Sequence, residues 1–373
     1  MEPRESVFDV ETTFANIVQA RKKRRKKFRG PDAPLYSAIY PMFLVTKFFG
    51  LSPYDFVGDH LAPSNSSIVF SLIAMALYSY TITETLTKFS RLSTPKWTIL
   101  YTDVAKVSGN YFVAMFNLLA AIFTRRKFVE VWNALQNFDE YSRQLGYPRS
   151  EKKTTIVAWL VVITQTLIWI AINQSGMYVY NETWSYNVGY LIVYVGNAIS
   201  VVKFVGVVSF LGQRFQQLKE IAMQNLPPRL GHRTIRDLHG ELMTAGETLN
   251  SLCSWSLFLW LANLTMHGVV NIYFIIDWVM LSSLNRGLLS LMGCLSIWTM
   301  CYMVQLLMLL KACDYTTSQV SQFERMDSMA ISSQFLNRRL RFSAAGCFDV
   351  RLSLLCSVGA LFFFPILRFV KFQ

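Results

Sequence analysis

Charged residues are scarce in this sequence. They make up only 16% of the 373 residues, whereas 53% are apolar and the mean hydropathy is +0.31. A soluble domain carries about 25% charged residues, so the composition excludes an ordinary soluble protein and indicates a chain embedded in a membrane. Acidic residues are scarcer than basic ones, with 23 against 36. In an apolar chain this surplus is typical of cytoplasmic loops and argues against a nucleic-acid partner.

Residue patterns that support catalysis or metal binding are also missing. The sequence contains no phosphate-binding loop, no G-x-S-x-G, no H-E-x-x-H and no C-x-x-C. The six cysteines lie in or beside apolar segments, and the four histidines lack the spacing of metal ligands. We therefore expect a protein that is not an enzyme and that uses no metal and no cofactor.

The N-terminal region lacks the apolar core of a signal peptide. Its first thirty residues are polar and include a basic run at 21–29. We expect this run to lie against the anionic cytoplasmic leaflet of a membrane.

Seven segments are long and apolar enough to cross a bilayer, which takes about 20 residues. The predicted fold class is an all-α membrane protein with seven transmembrane helices, located in the plasma membrane as a multi-pass protein. Prolines, a glycine and a lysine interrupt an earlier apolar stretch, so we divide the chain into a basic cytoplasmic tail (1–35), an interfacial or re-entrant segment (36–66) and a membrane domain (67–373). The predicted spans are 67–87, 99–123, 154–173, 187–211, 255–279, 287–310 and 350–370.

The basic residues predict the orientation of these spans. One set of loops carries 27 Lys and Arg and the opposite set carries four, which places the N-terminus inside and the C-terminus outside. A glycosylation sequon at Asn181 falls in a loop that this topology places outside. Helical spacing of apolar residues after the second and fourth spans predicts long cytoplasmic extensions of those helices.

Aromatic, amide and ionisable groups cluster in the predicted outer halves of the spans. They could line a pocket for a small polar or aromatic ligand, although aromatic belts at the membrane surface give the same pattern. Asp103 and Lys106 could also neutralise each other on one helix face, and Lys203, deeper in its span, is expected to reach a carbonyl or a lipid headgroup. The candidate ligand-binding residues are Tyr78, Asp103, Gln165, Trp169, Tyr194, Asn197, His267 and Asn271.

The stretch 340–350, Leu-Arg-Phe-Ser-Ala-Ala-Gly-Cys-Phe-Asp-Val, resembles the start of the seventh helix of insect gustatory receptors. There a Phe-Ser-Ala-Cys-Gly-x-Phe pattern leads into an apolar helix, and Ala345 stands at the position of the Cys. The resemblance implies a ligand-gated, non-selective cation channel in which a small-molecule tastant opens a homo- or heterotetrameric pore surrounded by membrane lipid. It implies pore and gate candidates on the seventh helix, namely Leu355, Val358, Phe362 and Ile366.

The end of the chain departs from the resemblance. The closing Thr-Tyr of the family pattern becomes Phe364-Pro365, its Gln becomes Lys371, and Arg368 adds a cation near the outer mouth of the implied pore. A divergent receptor, a subunit that needs partners, a misread last exon and a nonfunctional channel all remain open.

Two other classes of membrane protein compete with this interpretation. A G-protein-coupled receptor would have the opposite orientation, and the sequence lacks both Asp-Arg-Tyr after span three and Asn-Pro-x-x-Tyr in span seven. A transporter would favour repeated halves, and the sequence shows no repeat.

Overall fold

The computed structural model describes residues 34–58, 60–91, 97–180, 184–223, 228–281, 286–327 and 339–360, except for some side chains at helix ends. The predicted all-α membrane fold is confirmed, because nearly all of these residues are helical. The helices are α1 (Pro34–Phe48), α2 (Asn65–Arg91), α3 (Trp97–Gln144), α4 (Lys152–Tyr180), α5 (Trp184–Ala222), α6 (Pro228–Leu281) and α7 (Arg286–Asp327). Two small hairpins pair β1 (Tyr54–Val57) with β2 (His60–Pro63) and β3 (Ser343–Ala344) with β4 (Phe348–Asp349).

Six of the described helices are long and apolar enough to cross a membrane. The candidate spans overlap the first six predicted from the sequence, and residues 354–360, at the start of the predicted seventh, are helical. The rest of that segment, including Phe362 and Ile366, lies outside the described residues. The spans are Asn65–Lys88, Val104–Gln144, Lys152–Val179, Asn187–Ala222, Thr234–Asp277 and Leu289–Arg325.

The interrupted stretch before the first span folds into α1 and the β1–β2 hairpin. Gly50, with φ of +74°, ends α1 in a Schellman motif in which its N–H bonds to the Lys47 carbonyl and the Leu51 N–H bonds to the Thr46 carbonyl. Lys47 also pairs with Asp55 in the hairpin. Burial acts to raise the pKa of Asp55, but hydrogen bonds from Lys47 and nearby serine hydroxyls hold that pKa below its ordinary value. A position for this unit at the membrane interface stays a prediction.

Helix α5 lies at the centre of the bundle. It contacts α1, α2, α3, α4, α6 and α7, and 72% of an 18-residue apolar stretch within its candidate span is buried inside the protein, against 17–44% for the corresponding stretches of the other five. Contacts between α3 and α5 pair Asn110 with Asn197 and Asp139 with Arg214, so these two helices run in the same direction. We call the end of the bundle where α2 leads to α3, α4 to α5 and α6 to α7 the short-loop end.

Several helices are longer than a bilayer requires. Helix α6 has 54 residues and α3 has 48, which correspond to lengths of about 81 and 72 Å at 1.5 Å per residue. The hydrocarbon core is about 30 Å thick, so both helices extend well beyond it. The extension of α3 was expected from the sequence, as was that of α5, which has 39 residues, and their cytoplasmic location stays a prediction.

The stretch 340–350, which we call the gustatory-like motif, forms the β3–β4 hairpin, and this hairpin docks on α6. Ala345 and Gly346 both have positive φ, at 50° and 73°, and form its turn. The Ser343 N–H donates to Asn250 Oδ1 and the Ala345 N–H donates to the Ser254 carbonyl, both at 2.9 Å. The hairpin thereby fixes the start of the 354–360 helix against α6.

Candidate ligand cavity between the helices

A cavity lies where α3, α4, α5, α6 and α7 meet. It leaves a volume of about 10 Å³ for the centre of a water molecule, which is about enough for one water. Its lining is aromatic and amide-rich, and it contains no acidic or basic side chain. The lining residues are Asn110, Trp169, Tyr194, Asn197, Ala198, Val201, Trp260, Asn263, Leu264, Tyr302 and Gln305.

Aromatic rings from four helices surround the cavity. Trp169 and Tyr194 are parallel, with an interplanar angle of 1° and centroids 5.8 Å apart, and Tyr302 lies 5.2 Å from Trp169. His267 stacks on the other side of this group, 4.6 Å from Tyr302 and 6.1 Å from Tyr194. Such ring pairs add stability beyond the area that they bury, so the group joins α4, α5, α6 and α7.

Four buried asparagines form a hydrogen-bond network beside these rings. The Asn197 amide donates to Asn110 Oδ1 at 2.7 Å, and the Asn263 amide donates to the same oxygen at 3.1 Å. The Asn117 amide donates to Asn197 Oδ1 at 3.3 Å. In a membrane bundle, paired amides of this kind hold helices together, and here they join α3, α5 and α6.

Other polar atoms around the cavity have no hydrogen-bond partner in the described part of the chain. The set on the lining comprises Trp169 Nε1, Trp260 Nε1, the Tyr302 hydroxyl, Gln305 Nε2 and Asn263 Oδ1. Both ring nitrogens of His267 and both amide atoms of Asn271 are likewise unpartnered, and both residues have 0% exposure. Each such atom costs about 1–3 kcal/mol when it is kept from water and from partners, so their concentration in one place points to a polar guest.

The structure brings together five of the eight residues proposed from the sequence. Trp169, Tyr194 and Asn197 line the cavity, and His267 contacts two of the lining rings. Asn271 lies one turn further along α6 and is fully buried.

The other three candidates do not join this group. Tyr78 is buried, but its hydroxyl donates to the Ile192 carbonyl at 3.4 Å and it does not line the cavity. Gln165 is half-buried on α4 and is not part of the lining. The side chain of Asp103 and the sequon at Asn181 lie outside the described residues. Lys106, the proposed partner of Asp103, is buried with its ammonium 5.4 Å from the Phe274 ring centroid.

Sequence reasoning missed five polar or aromatic lining residues. A usable signal exists on α6, because Trp260, Asn263, His267 and Asn271 follow one another at steps of three or four and share one face. On α7, Tyr302 and Gln305 lie three apart in the same way. The missed residues are Asn110, Trp260, Asn263, Tyr302 and Gln305.

Lys203 occupies a second polar position in the bundle. Its Nζ donates to the Leu51 carbonyl at 2.8 Å and lies 4.6 Å from the ring centroid of Phe128 and 5.1 Å from that of Tyr54. The expectation that this lysine reaches a carbonyl is therefore confirmed. Lys203 ties α5 to the segment that links α1 to the β1–β2 hairpin.

A buried ionic cluster lies far from the short-loop end. Arg214 has 0% exposure, and its guanidinium donates to Asp139 at 3.1 and 2.7 Å and to Glu151 at 2.8 Å. Arg149 also contacts Glu151, at 2.7 Å. Because both carboxylates are paired with cations, the cluster holds α3, the start of α4 and α5 together.

Two of the four pore candidates lie in the described residues. Leu355 is half-buried and Val358 is 7% exposed, and both pack against the core of their own chain. Their role in a pore stays a prediction, as does that of Phe362 and Ile366.

Six helices are long and apolar enough to cross a membrane, and five of the described helices meet at a buried aromatic cavity, as fits a multi-pass plasma-membrane protein. Residues 39–363 match the family described as 7tm chemosensory receptor. The chain belongs to this family, which is one of receptors and not of enzymes. No curated protein matches the chain in sequence.

Solved structures of an insect olfactory receptor share the fold. The receptor OR5 from Machilis hrabei matches with a TM-score of 0.68 and 14% identity over 89% of this chain and 97% of that one. The same receptor in complex with eugenol matches with a TM-score of 0.59 and 13% identity over 90% and 98%.

Proposed function

We propose that this chain is a chemosensory receptor of gustatory type that detects a small molecule in the cavity where helices α3 to α7 meet. The observation that carries the proposal is the group of unpartnered donors and acceptors on an aromatic lining inside an apolar bundle. Idle polar atoms are costly there, and a bound guest would offset that cost. The eugenol complex of the olfactory receptor supports the same view, since a protein of this fold takes a small organic molecule.

The receptor works as one subunit of a ligand-gated, non-selective cation channel. Four such subunits, identical or related, surround a pore lined by the seventh helix. The gustatory-like motif supports this assignment, because it forms the hairpin that joins α6, which carries cavity residues, to the helix at 354–360. The membrane orientation is N-terminus inside and C-terminus outside, as the basic residues indicate.

Whole-cell recording tests the channel and its cavity together. Cells that express the chain, alone or with a related receptor, are exposed to a panel of tastants and odorants, and the current is compared with that of Ala198→Leu. Ala198 lines the cavity and is buried, so the larger side chain should fill the space and abolish the response. Ala171→Leu, at an exposed position on α4, is the matched control. An unchanged response in Ala198→Leu, or no current under any combination, would contradict the proposal.

Tag accessibility tests the orientation. A tag at Met1 should be reached only after permeabilisation, whereas a tag at Gln373 and glycosylation at Asn181 should be detected on intact cells. An exposed Met1 tag would instead favour the G-protein-coupled alternative. Tags on the same side would indicate that the divergent end, from Pro365 to Lys371, fails to insert.

A further inference from the structure

We propose that the cavity selects a neutral, ring-bearing molecule whose oxygen atoms accept hydrogen bonds, such as an aromatic ketone, ester or ether, and that it discriminates against sugars. The inference rests on the proposed function, because it assumes that the cavity is the ligand site. It adds the chemical class of the ligand, which the receptor assignment leaves open.

The lack of charged residues on the cavity lining indicates the charge of the ligand. No lining residue is acidic or basic, and the nearby lysines Lys106 and Lys203 are not part of it. A charged ligand would have to leave water without gaining a counter-ion, which is strongly unfavourable at a buried site. The ligand is therefore neutral.

The unpartnered groups on the cavity lining are mostly hydrogen-bond donors, which indicates that the ligand supplies acceptors. The unpartnered groups on the lining include the indole N–H groups of Trp169 and Trp260 and the Nε2 of Gln305. An indole nitrogen can only donate, so these two assignments do not depend on how an amide is oriented. The Tyr302 hydroxyl can act either way, and among the fully buried unpartnered atoms of the described lining Asn263 Oδ1 alone can only accept. A guest that satisfies this lining must supply mainly acceptors.

The asparagine side chains that already hydrogen-bond to one another increase this excess of donors over acceptors. The Asn197 amide nitrogen donates to both the backbone carbonyl and Oδ1 of Asn110, and this Oδ1 also accepts a hydrogen bond from the Asn263 amide. A sugar carries a donor on every hydroxyl, and this lining offers few free acceptors to receive them. Each buried hydroxyl left without an acceptor lowers affinity by about tenfold.

The rings carry the third step. The rings of Trp169, Tyr194, Trp260 and Tyr302 line one small space, and a ring-bearing molecule packs well among aromatic side chains. The space has room for about one water, so a larger ligand must displace side chains when it enters, which restricts it to a small molecule.

A matched pair of ligands tests the class. Acetophenone and ethylbenzene have the same ring and similar shape, but only the ketone carries an acceptor oxygen. Half-maximal currents should need about tenfold less acetophenone than ethylbenzene, and fructose should evoke none. Trp260→Phe keeps an aromatic ring but removes the donor, so it should weaken the acetophenone response by about tenfold and leave the ethylbenzene response unchanged.

Control variants keep the outcomes separate. Trp255→Phe, on the same helix at 61% exposure, should change neither response, and surface biotinylation shows whether Trp260→Phe reaches the membrane. Trp169→Phe repeats the test if Trp260→Phe is retained in the cell. Equal potency of the two ligands in the unmodified chain, activation by fructose, or equal losses for both ligands in the variant would overturn the inference. If a response depends on Ala198 but shows no acceptor preference, only the ligand class fails; if no response depends on Ala198, the proposed function fails as well.

Discussion

The imidazole of His267 lies nearly flat against the phenol ring of Tyr302, with centroids 4.6 Å apart and planes inclined by 21°. Neither the two imidazole nitrogens nor the phenol hydroxyl has a hydrogen-bond partner within the described ranges. The stack joins α6 to α7 beside the cavity and leaves these buried polar atoms without a partner in the described residues.

The Tyr302 hydroxyl should therefore reduce stability in the absence of ligand. Tyr302→Phe keeps the ring stack but removes a buried unpartnered group, and we expect a gain of about 1–3 kcal/mol together with a weaker ligand response. The melting temperature of the purified protein in detergent gives the first effect, and whole-cell current gives the second. Tyr178→Phe, at an exposed position on α4, should change neither. A lower melting temperature for Tyr302→Phe would mean that its hydroxyl is bonded.

Arg214 should be the most costly cation to remove. Arg214→Met leaves the half-buried Asp139 and the buried Glu151 with too little positive charge, and the loss should be about 3–5 kcal/mol. Thermal unfolding and the amount of protein at the cell surface both report this loss. Arg143→Met breaks an exposed pair with Glu140 and should cost less than about 1 kcal/mol. Adding Asp139→Asn and Glu151→Gln to Arg214→Met should recover part of the loss; no recovery would show that packing, and not charge, dominates.

Lys203 should hold the segment between α1 and the first hairpin. Lys203→Met removes the donor to the Leu51 carbonyl and the cation above Phe128, so amide hydrogen exchange over residues 49–57 should become faster. Lys219→Met, on the same helix but bonded to Gln322, should leave that exchange unchanged. Equal exchange in both variants would show that the segment docks without the lysine.

Two glycines with similar backbone conformations allow strain and crowding to be separated. Gly50 and Gly58 have φ of +74° and +64°, so alanine at either position should cost about 1 kcal/mol. A Cβ on Gly50 would also lie 2.7 Å from the Cβ of Ala74, whereas one on Gly58 meets nothing within 4 Å. Gly50→Ala should therefore lower the melting temperature clearly more than Gly58→Ala, and Ala74→Gly should partly restore it. Equal effects would argue against a close contact between Gly50, which follows α1, and Ala74 of α2.

The sequence predicted the helices well because length and apolar content are local properties of each segment. It also singled out Trp169, Tyr194 and Asn197, which line the cavity and whose polar or aromatic character is unusual within a span; their role in ligand binding stays a prediction. It missed Trp260 and Tyr302 because the direction in which each ring points depends on how α6 and α7 pack. The partner of Lys203 was equally hidden, since the Leu51 carbonyl is 152 residues away in the chain.

The central position of α5 also has a consequence for biogenesis. Asn110 and Asn117 leave the ribosome as part of α3, well before Asn197 of α5, which pairs with both. Until α5 is inserted, two amides that belong in the interior face lipid or the insertion machinery, and Asn263 arrives later still. A half-synthesised chain therefore lacks its polar centre, and the steps between the second and fourth spans are those at which a membrane chaperone would be most needed.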